Sequence, residues 1–122
     1  MPAFRILTPL EVAQVRGGAV VIDVLRAFTV TAWAFHLGAE RIAEIMYTVL
    51  LRELDEALRL KAASPGSFAF QDAEPLPGFD LANSPVRIER LALRGSTVFQ
   101  RTTSGTQGAN AAAHCRPLLC TG

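Results

Sequence analysis

The chain has 122 residues, half of them apolar and 19% charged, with a formal net charge of +1. That length allows one domain or part of one, the composition excludes disorder, and the near-neutral balance gives no electrostatic case for nucleic acid. No apolar run approaches the roughly 18 to 20 residues that cross a bilayer, Met1-Pro2-Ala3-Phe4-Arg5 lacks the layout of a secretion signal, and Cys115 and Cys120 make no disulfide framework or metal knuckle. A reducing cytoplasm is the expected setting.

Thr8-Pro9-Leu10-Glu11 reads as a helix start, with Thr8 as cap, Pro9 at the first helical position and Glu11 closing a capping box. Leu10, Ala13 and Val15 give a short apolar side, and Gly17-Gly18 ends the element. The run Ala19-Val20-Val21-Ile22 then predicts a strand buried on both faces. Asp23 and Arg26 stand where that strand ends. Open α/β sheets bind ligands outside the carboxyl ends of their strands. There Asp23 would hold a cation or polarise water, and Arg26 would clamp an anion. The competing reading is an ion pair that only closes a strand-to-helix turn.

Ala27–Leu37 follows as a helix closed by Gly38, with Phe28, Ala32 and Phe35 near one face. His36 within it reads as a packing or surface residue. Arg41–Met46 is the second predicted strand. Thr48 caps an amphipathic helix in which Leu51, Leu54, Leu58 and Ala62 repeat at helical spacing. Ser64-Pro65-Gly66 is a turn, Ser67–Phe70 a third strand, and Gln71–Pro85 a long irregular segment. A weakly helical piece, Val86–Leu93, precedes a fourth strand at Thr97–Arg101. After the Thr102–Thr106 turn come a helix from about Gln107 to Ala113 and a fifth strand at Pro117–Cys120. The alternation predicts an α/β fold: a mainly parallel sheet with helices on both faces, in three layers. No helix follows the last apolar strand to cover it, so residues 1–122 are expected to be the N-terminal part of a longer domain, or a chain that completes itself as a homo-oligomer.

Three polar clusters follow predicted strands: Asp23 with Arg26, Asp80-Leu81-Ala82-Asn83-Ser84-Pro85, and Thr102-Thr103-Ser104-Gly105-Thr106. In a parallel sheet they would share one edge. The last places backbone N–H groups and hydroxyls around an anion such as a phosphate or sulfonate, without the lysine or glycine spacing of a Walker loop. Its plainer reading is an ordinary helix cap by Ser104 or Thr106 with nothing bound. Asn83-Ser84-Pro85 suits an Asx-type turn, with Phe79 as anchor and Asp80 presented by a stiff loop or simply capping a turn.

Val21-Ile22-Asp23-Val24-Leu25-Arg26-Ala27, Gly78-Phe79-Asp80-Leu81-Ala82-Asn83-Ser84-Pro85 and Thr102-Thr103-Ser104-Gly105-Thr106 resemble three successive signatures of the 2-phosphosulfolactate phosphatase family, often called the ComB family. The resemblance covers nearly all of this chain but only the N-terminal half or so of family members. It implies a Mg²⁺-dependent phosphatase that converts 2-phospho-3-sulfolactate to 3-sulfolactate and phosphate, a step of coenzyme M synthesis in methanogens. The chain departs from the pattern at Gln71-Asp72-Ala73-Glu74, where many relatives have Gly-Glu-Arg, and Glu74 is the counterpart considered for that glutamate. It also departs at Ser104, where Asn is common, and at Ala82, where Gly is common. A haloacid-dehalogenase-type assignment is rejected, because that class needs a second Asp where this chain has Leu25.

The expected roles follow. Asp23 and Asp80 hold the metal, and with Arg26 form the catalytic group. Asn83, Ser84, Thr102, Thr103, Ser104, Gly105 and Thr106 bind substrate or anion. The partner is a small phosphorylated, sulfonated acid rather than a nucleic acid or a membrane. The alternative is a non-catalytic α/β anion-binding or oligomer-forming module.

Overall fold

A computed structural model describes residues 4–46, 54–72, 74 and 76–122. Its elements are β1 (Ala19–Ile22), α1 (Ala27–His36), β2 (Arg41–Met46), α2 (Leu54–Ala63), β3 (Phe68–Gln71), β4 (Leu81–Ala82), α3 (Pro85–Ile88), β5 (Thr97–Thr102), α4 (Gly105–Ala111) and β6 (Leu118–Thr121). All strand pairs are parallel, as an alternating strand–helix sequence requires. The strands form two sheets, four in the order β2-β5-β3-β4 and two in the order β1-β6.

β5 is the centre of the main sheet. Its residues alternate sides, as in any strand. Val98 joins Val30 and Ala34 of α1, Phe70, Ile88 and Leu93 in the core. Gln100 bonds to α1, and Thr102 bonds to Thr106 of α4. On the opposite side Arg101 lies over Phe79, at 6.0 Å from the ring centroid, and α2 packs on β3 and β5. The main sheet therefore carries helices on both faces.

Two expectations change. The first is β1, which is not a central strand. Its hydrogen-bonded neighbour among the described residues is β6, and Val20 and Ile22 are 58% and 67% exposed. Val20 pairs with Leu119, which is also exposed, so one face of this two-stranded sheet is open while the other meets α1 and α4. The second is the face of α1. Ala27, Val30 and Ala34 are buried at helical spacing with Phe28, whereas Ala32 and Phe35 are exposed. The aromatic at position 35 is half exposed.

Smaller differences follow from local chemistry. The Thr8 segment makes one 3-10 turn, Val12–Gln14, with the Glu11 carboxylate accepting the Thr8 N–H and hydroxyl at 2.7 Å each. Those bonds hold the Glu11 carboxyl below its ordinary pKa, the backbone bond first. Thr48 and Leu51 lie outside the described residues; in α2, Ala57 is buried and Ala62 exposed. α4 begins at Gly105, two residues before the expected start. Within the segment read as irregular, Leu81 and Ala82 pair with Phe70 and Gln71 as a fourth strand of the main sheet.

Candidate functional site

Asp23 directly follows β1. Its N–H donates to the Thr121 carbonyl at 2.9 Å, so the ladder with β6 reaches it and fixes its direction. Residues two apart on a strand share a side, and residues three apart on a helix share a face. Val21 and Asp23 meet α4 in that way. A Cβ on Gly108 would lie 2.8 Å from Val21 Cγ1, and one on Gly105 would lie 2.8 Å from Asp23 Oδ2 and 3.0 Å from the Ala27 Cβ. Glycine at both positions is what lets β1 and α4 come together. Asp23 of the first cluster and Ser104 and Gly105 of the third thereby come together and line one groove with β1, whereas Arg26 is not among its lining residues.

Arg26 is exposed at the N-cap of α1, three residues beyond Asp23. The two do not form an ion pair; the turn between them is closed by Thr29, whose hydroxyl donates to the Val24 carbonyl at 3.0 Å. Asp23 is half-buried against α4 and Arg26 is exposed, so the two do not merely satisfy one another.

In the Thr102–Thr106 turn the residues divide into two kinds. Thr102 is buried; its Oγ1 accepts the Thr106 N–H at 3.2 Å and lies 2.6 Å from Thr106 Oγ1. Thr102 therefore closes the start of α4, while Ser104, at the cap position, makes no side-chain cap bond. Thr103 donates both its N–H and its hydroxyl to Asp72 Oδ2 at 2.9 Å. The Ser104 hydroxyl is exposed at the groove. The first N–H groups of a helix have no partner within it.

The middle cluster is not brought to the same place. Asp80 precedes β4, so it lies at the amino side of a strand whose carboxyl end is Ala82. Its Oδ2 accepts the Ala69 N–H at 2.8 Å, and Lys61 Nζ lies 2.9 Å from both oxygens while also donating to the Gly78 carbonyl. Lys61, the lysine in a chain otherwise furnished with arginine, ties the end of α2 to this loop. Gly78 lies at φ 97°, and a Cβ there would press on Leu58 at 3.1 Å. Asp80 thus pins a loop rather than facing Asp23. Asn83 is fully buried, and Ser84 heads α3 without a side-chain cap bond.

Two residues that sequence reasoning left aside complete the picture. Asp72 follows β3 and receives Thr103 on one oxygen and Asn83 on the other. Gln100 is fully buried in β5 and bonds to Asn83 and to the Ala27 carbonyl. A lone Gln inside an otherwise packed strand is itself a signal, because a buried amide must be hydrogen-bonded.

Among the described residues no three His, Cys, Asp or Glu side chains gather around one point. Mg²⁺ does not need such a cage; it is held by one or two carboxylates, water and substrate oxygens. Asp23, with no protein partner among the described residues, fits that donor set, and Asp80, already engaged by Lys61 and the Ala69 N–H, does not.

A parallel α/β fold with a carboxylate, an arginine and a hydroxyl-bearing turn beyond its strand ends belongs to the class that takes ligands at that edge. The family model described as 2-phosphosulpholactate phosphatase matches residues 6–122, and the chain belongs to that family. It is similar to the "Probable 2-phosphosulfolactate phosphatase" of Parasynechococcus marenigrum (strain WH8102), 40% identical over 107 residues that cover 84% of this chain and 41% of that protein. It is similar to the protein of the same description from Bacillus subtilis (strain 168), 37% identical over 105 residues, covering 84% and 43%. A third, from Caldicellulosiruptor saccharolyticus, is 38% identical over 104 residues, covering 83% and 40%. The chain spans about two fifths of the length of the curated relatives it matches.

Proposed function

We propose that this chain carries the substrate- and metal-binding edge of a Mg²⁺-dependent phosphatase that hydrolyses a phosphate monoester such as 2-phospho-3-sulfolactate to 3-sulfolactate and phosphate. The observation that supports it is the approach of Asp23 to Gly105, which puts a free carboxylate beside the Ser104–Gly105 turn in one groove. Family membership and the names of the relatives support the substrate.

In this reading Arg26 offers a planar fork to a phosphoryl or sulfonate group, and the Ser104 hydroxyl with the adjoining N–H groups binds oxyanion oxygens. Asp23 would hold Mg²⁺, which when bound neutralises charge on the phosphoryl oxygens. Thr102, Thr103 and Thr106 keep the turn in shape. Asn83 and Ser84 orient the middle loop, and Asp80 anchors it. The setting is cytoplasmic, where such an enzyme would supply a sulfonated acid for coenzyme M assembly. No helix among the described residues is long and apolar enough to cross a membrane.

A second reading, a non-catalytic anion-binding or oligomer-forming module, is favoured by one observation: the exposed Val20, Ile22 and Leu119 on one face of the β1–β6 sheet. That face equally supports self-association of the enzyme. The test is phosphate release from a panel of sulfonated and carboxylated phosphoesters, with and without Mg²⁺, by the longest polypeptide its gene encodes. Mg²⁺-dependent release, greatest with a sulfonated ester, is expected. Phosphate binding without release from any ester would favour the module.

A further inference from the structure

Asp23 enters the proposed site from the end of β1, with Arg26 at the start of α1 just beyond it, and Ser104 and Gly105 enter it from the turn after β5. These two halves belong to different sheets, and their relative position decides what oxyanion fits between them. A chain of hydrogen bonds, buried at its centre and exposed at Thr103, joins them. Gln100 Nε2 donates to the Ala27 carbonyl at 3.0 Å, one residue beyond Arg26, and to Asn83 Oδ1 at 3.1 Å. Thr31 Oγ1 donates to Gln100 Oε1 at 2.7 Å. Asn83 Nδ2 donates to Asp72 Oδ1 at 2.8 Å and to the Arg101 carbonyl at 3.2 Å. Asp72 Oδ2 then accepts the N–H and hydroxyl of Thr103.

Each amide in this chain has one workable orientation. Turning Asn83 over would set its NH₂ against that of Gln100 and its oxygen against the Asp72 carboxylate. Turning Gln100 over would leave its NH₂ on the Thr31 hydroxyl and its oxygen facing the Ala27 carbonyl and Asn83 Oδ1. Both amides are fully buried, where an unmade bond is expensive. We infer that Gln100, Asn83 and Asp72 are positioning residues that lock the start of α1 to the Thr103–Gly105 turn, so that the two halves of the anion site are set as one unit. None of the three needs to touch substrate. The inference rests on the proposed function for what the lock serves, but the lock is a property of the fold and is measurable without substrate.

The experiment reads amide hydrogen exchange at Thr103 and the affinity for inorganic phosphate in three variants of the chain. Thr31→Val is nearly isosteric and removes the hydroxyl that orients Gln100 and that also lies 3.0 Å from the Ala27 carbonyl. Gln100→Met removes the link itself. Ser96→Ala is the control: a buried residue just before β5, bonded to the Leu93 carbonyl and outside the chain of bonds. At matched global stability, Gln100→Met should speed Thr103 exchange about tenfold, Thr31→Val by less, and Ser96→Ala not at all. Phosphate affinity should fall in the same order. Thr103 exchange that is unchanged in both Gln100→Met and Thr31→Val would overturn the inference. Faster Thr103 exchange in a protein that binds no phosphate would leave the lock standing and remove the phosphatase reading instead.

Discussion

β1 and β5 teach opposite lessons about what buries a strand. β1, Ala-Val-Val-Ile, is wholly apolar, yet half its side chains face outward. β5, Thr-Val-Phe-Gln-Arg-Thr, is the more polar, yet five of its six residues are buried. The difference lies in neighbours. β5 has a strand on each side and helices on both faces, while β1 has β6 on one side and α4 on one face. Polar side chains survive in β5 because each finds a partner; apolar ones in β1 stay exposed because nothing among the described residues meets their outer face. Burial follows from position in the sheet rather than from the strand's own hydropathy.

The largest effect should come from the core beneath β5. Phe70→Ala, at a fully buried position, should cost about 3–5 kcal/mol by denaturant unfolding. Gly105→Ala comes next, at about 1–3 kcal/mol, because the new methyl must displace the Asp23 carboxylate or Ala27. It should also weaken phosphate binding, whereas Phe70→Ala should not change the affinity of the fraction that remains folded. On the outer face of β1, Ile22→Ala should change stability by no more than about 0.5 kcal/mol. Ile22→Lys should lower self-association in sedimentation experiments. A cost at Ile22 equal to that at Phe70 would mean that this face is covered and that the comparison of the two strands fails.

Much of the fold was legible. β2, β3, β5 and β6 fall where alternating or apolar runs bounded by turn residues place them, and the parallel α/β class followed from their alternation with helices. β4 escaped because two residues, Leu81 and Ala82, carry no periodicity; their pairing with Phe70 and Gln71 makes them a strand. The burial of β1 was misread because an apolar run states what a strand tolerates, not which neighbours it has. The placement of Asp23 and the Thr102–Thr106 turn after strands β1 and β5 was legible from the apolar runs that precede them. Asp80 also follows a strand in the chain, but β4 begins just after it and turns its carboxylate to Lys61. Asp72 and Gln100 were passed over because their roles depend on contacts with Thr103 and Ala27, across 31 and 73 residues of sequence.

The smallest effect concerns the Thr8 turn. The Glu11 carboxyl is held below its ordinary pKa by the Thr8 N–H and hydroxyl. A lowered folded-state pKa means the turn is fully supported above the ordinary Glu value, with support lost as pH falls through the depressed one. The Thr8 amide resonance should therefore shift with a midpoint below that of an unperturbed Glu. A midpoint at the ordinary Glu value would show that the bonds do not persist in solution.

The central claim is that Asp23 brings a metal to an anion held at the Ser104–Gly105 turn, and the sign of a charge effect tests it. Without Mg²⁺, a bare carboxylate beside the turn repels phosphate, so Asp23→Asn should bind phosphate at least as tightly as the wild type. With Mg²⁺ the order should reverse, because the wild type gains a cation that the amide cannot hold. The measurement is the phosphate dissociation constant of both proteins across a Mg²⁺ titration, with the melting temperature followed in parallel. Tightening with Mg²⁺ in the wild type and none in Asp23→Asn, at similar melting temperatures, is the predicted result; an equal Mg²⁺ response in both, or none in the wild type, would contradict the account.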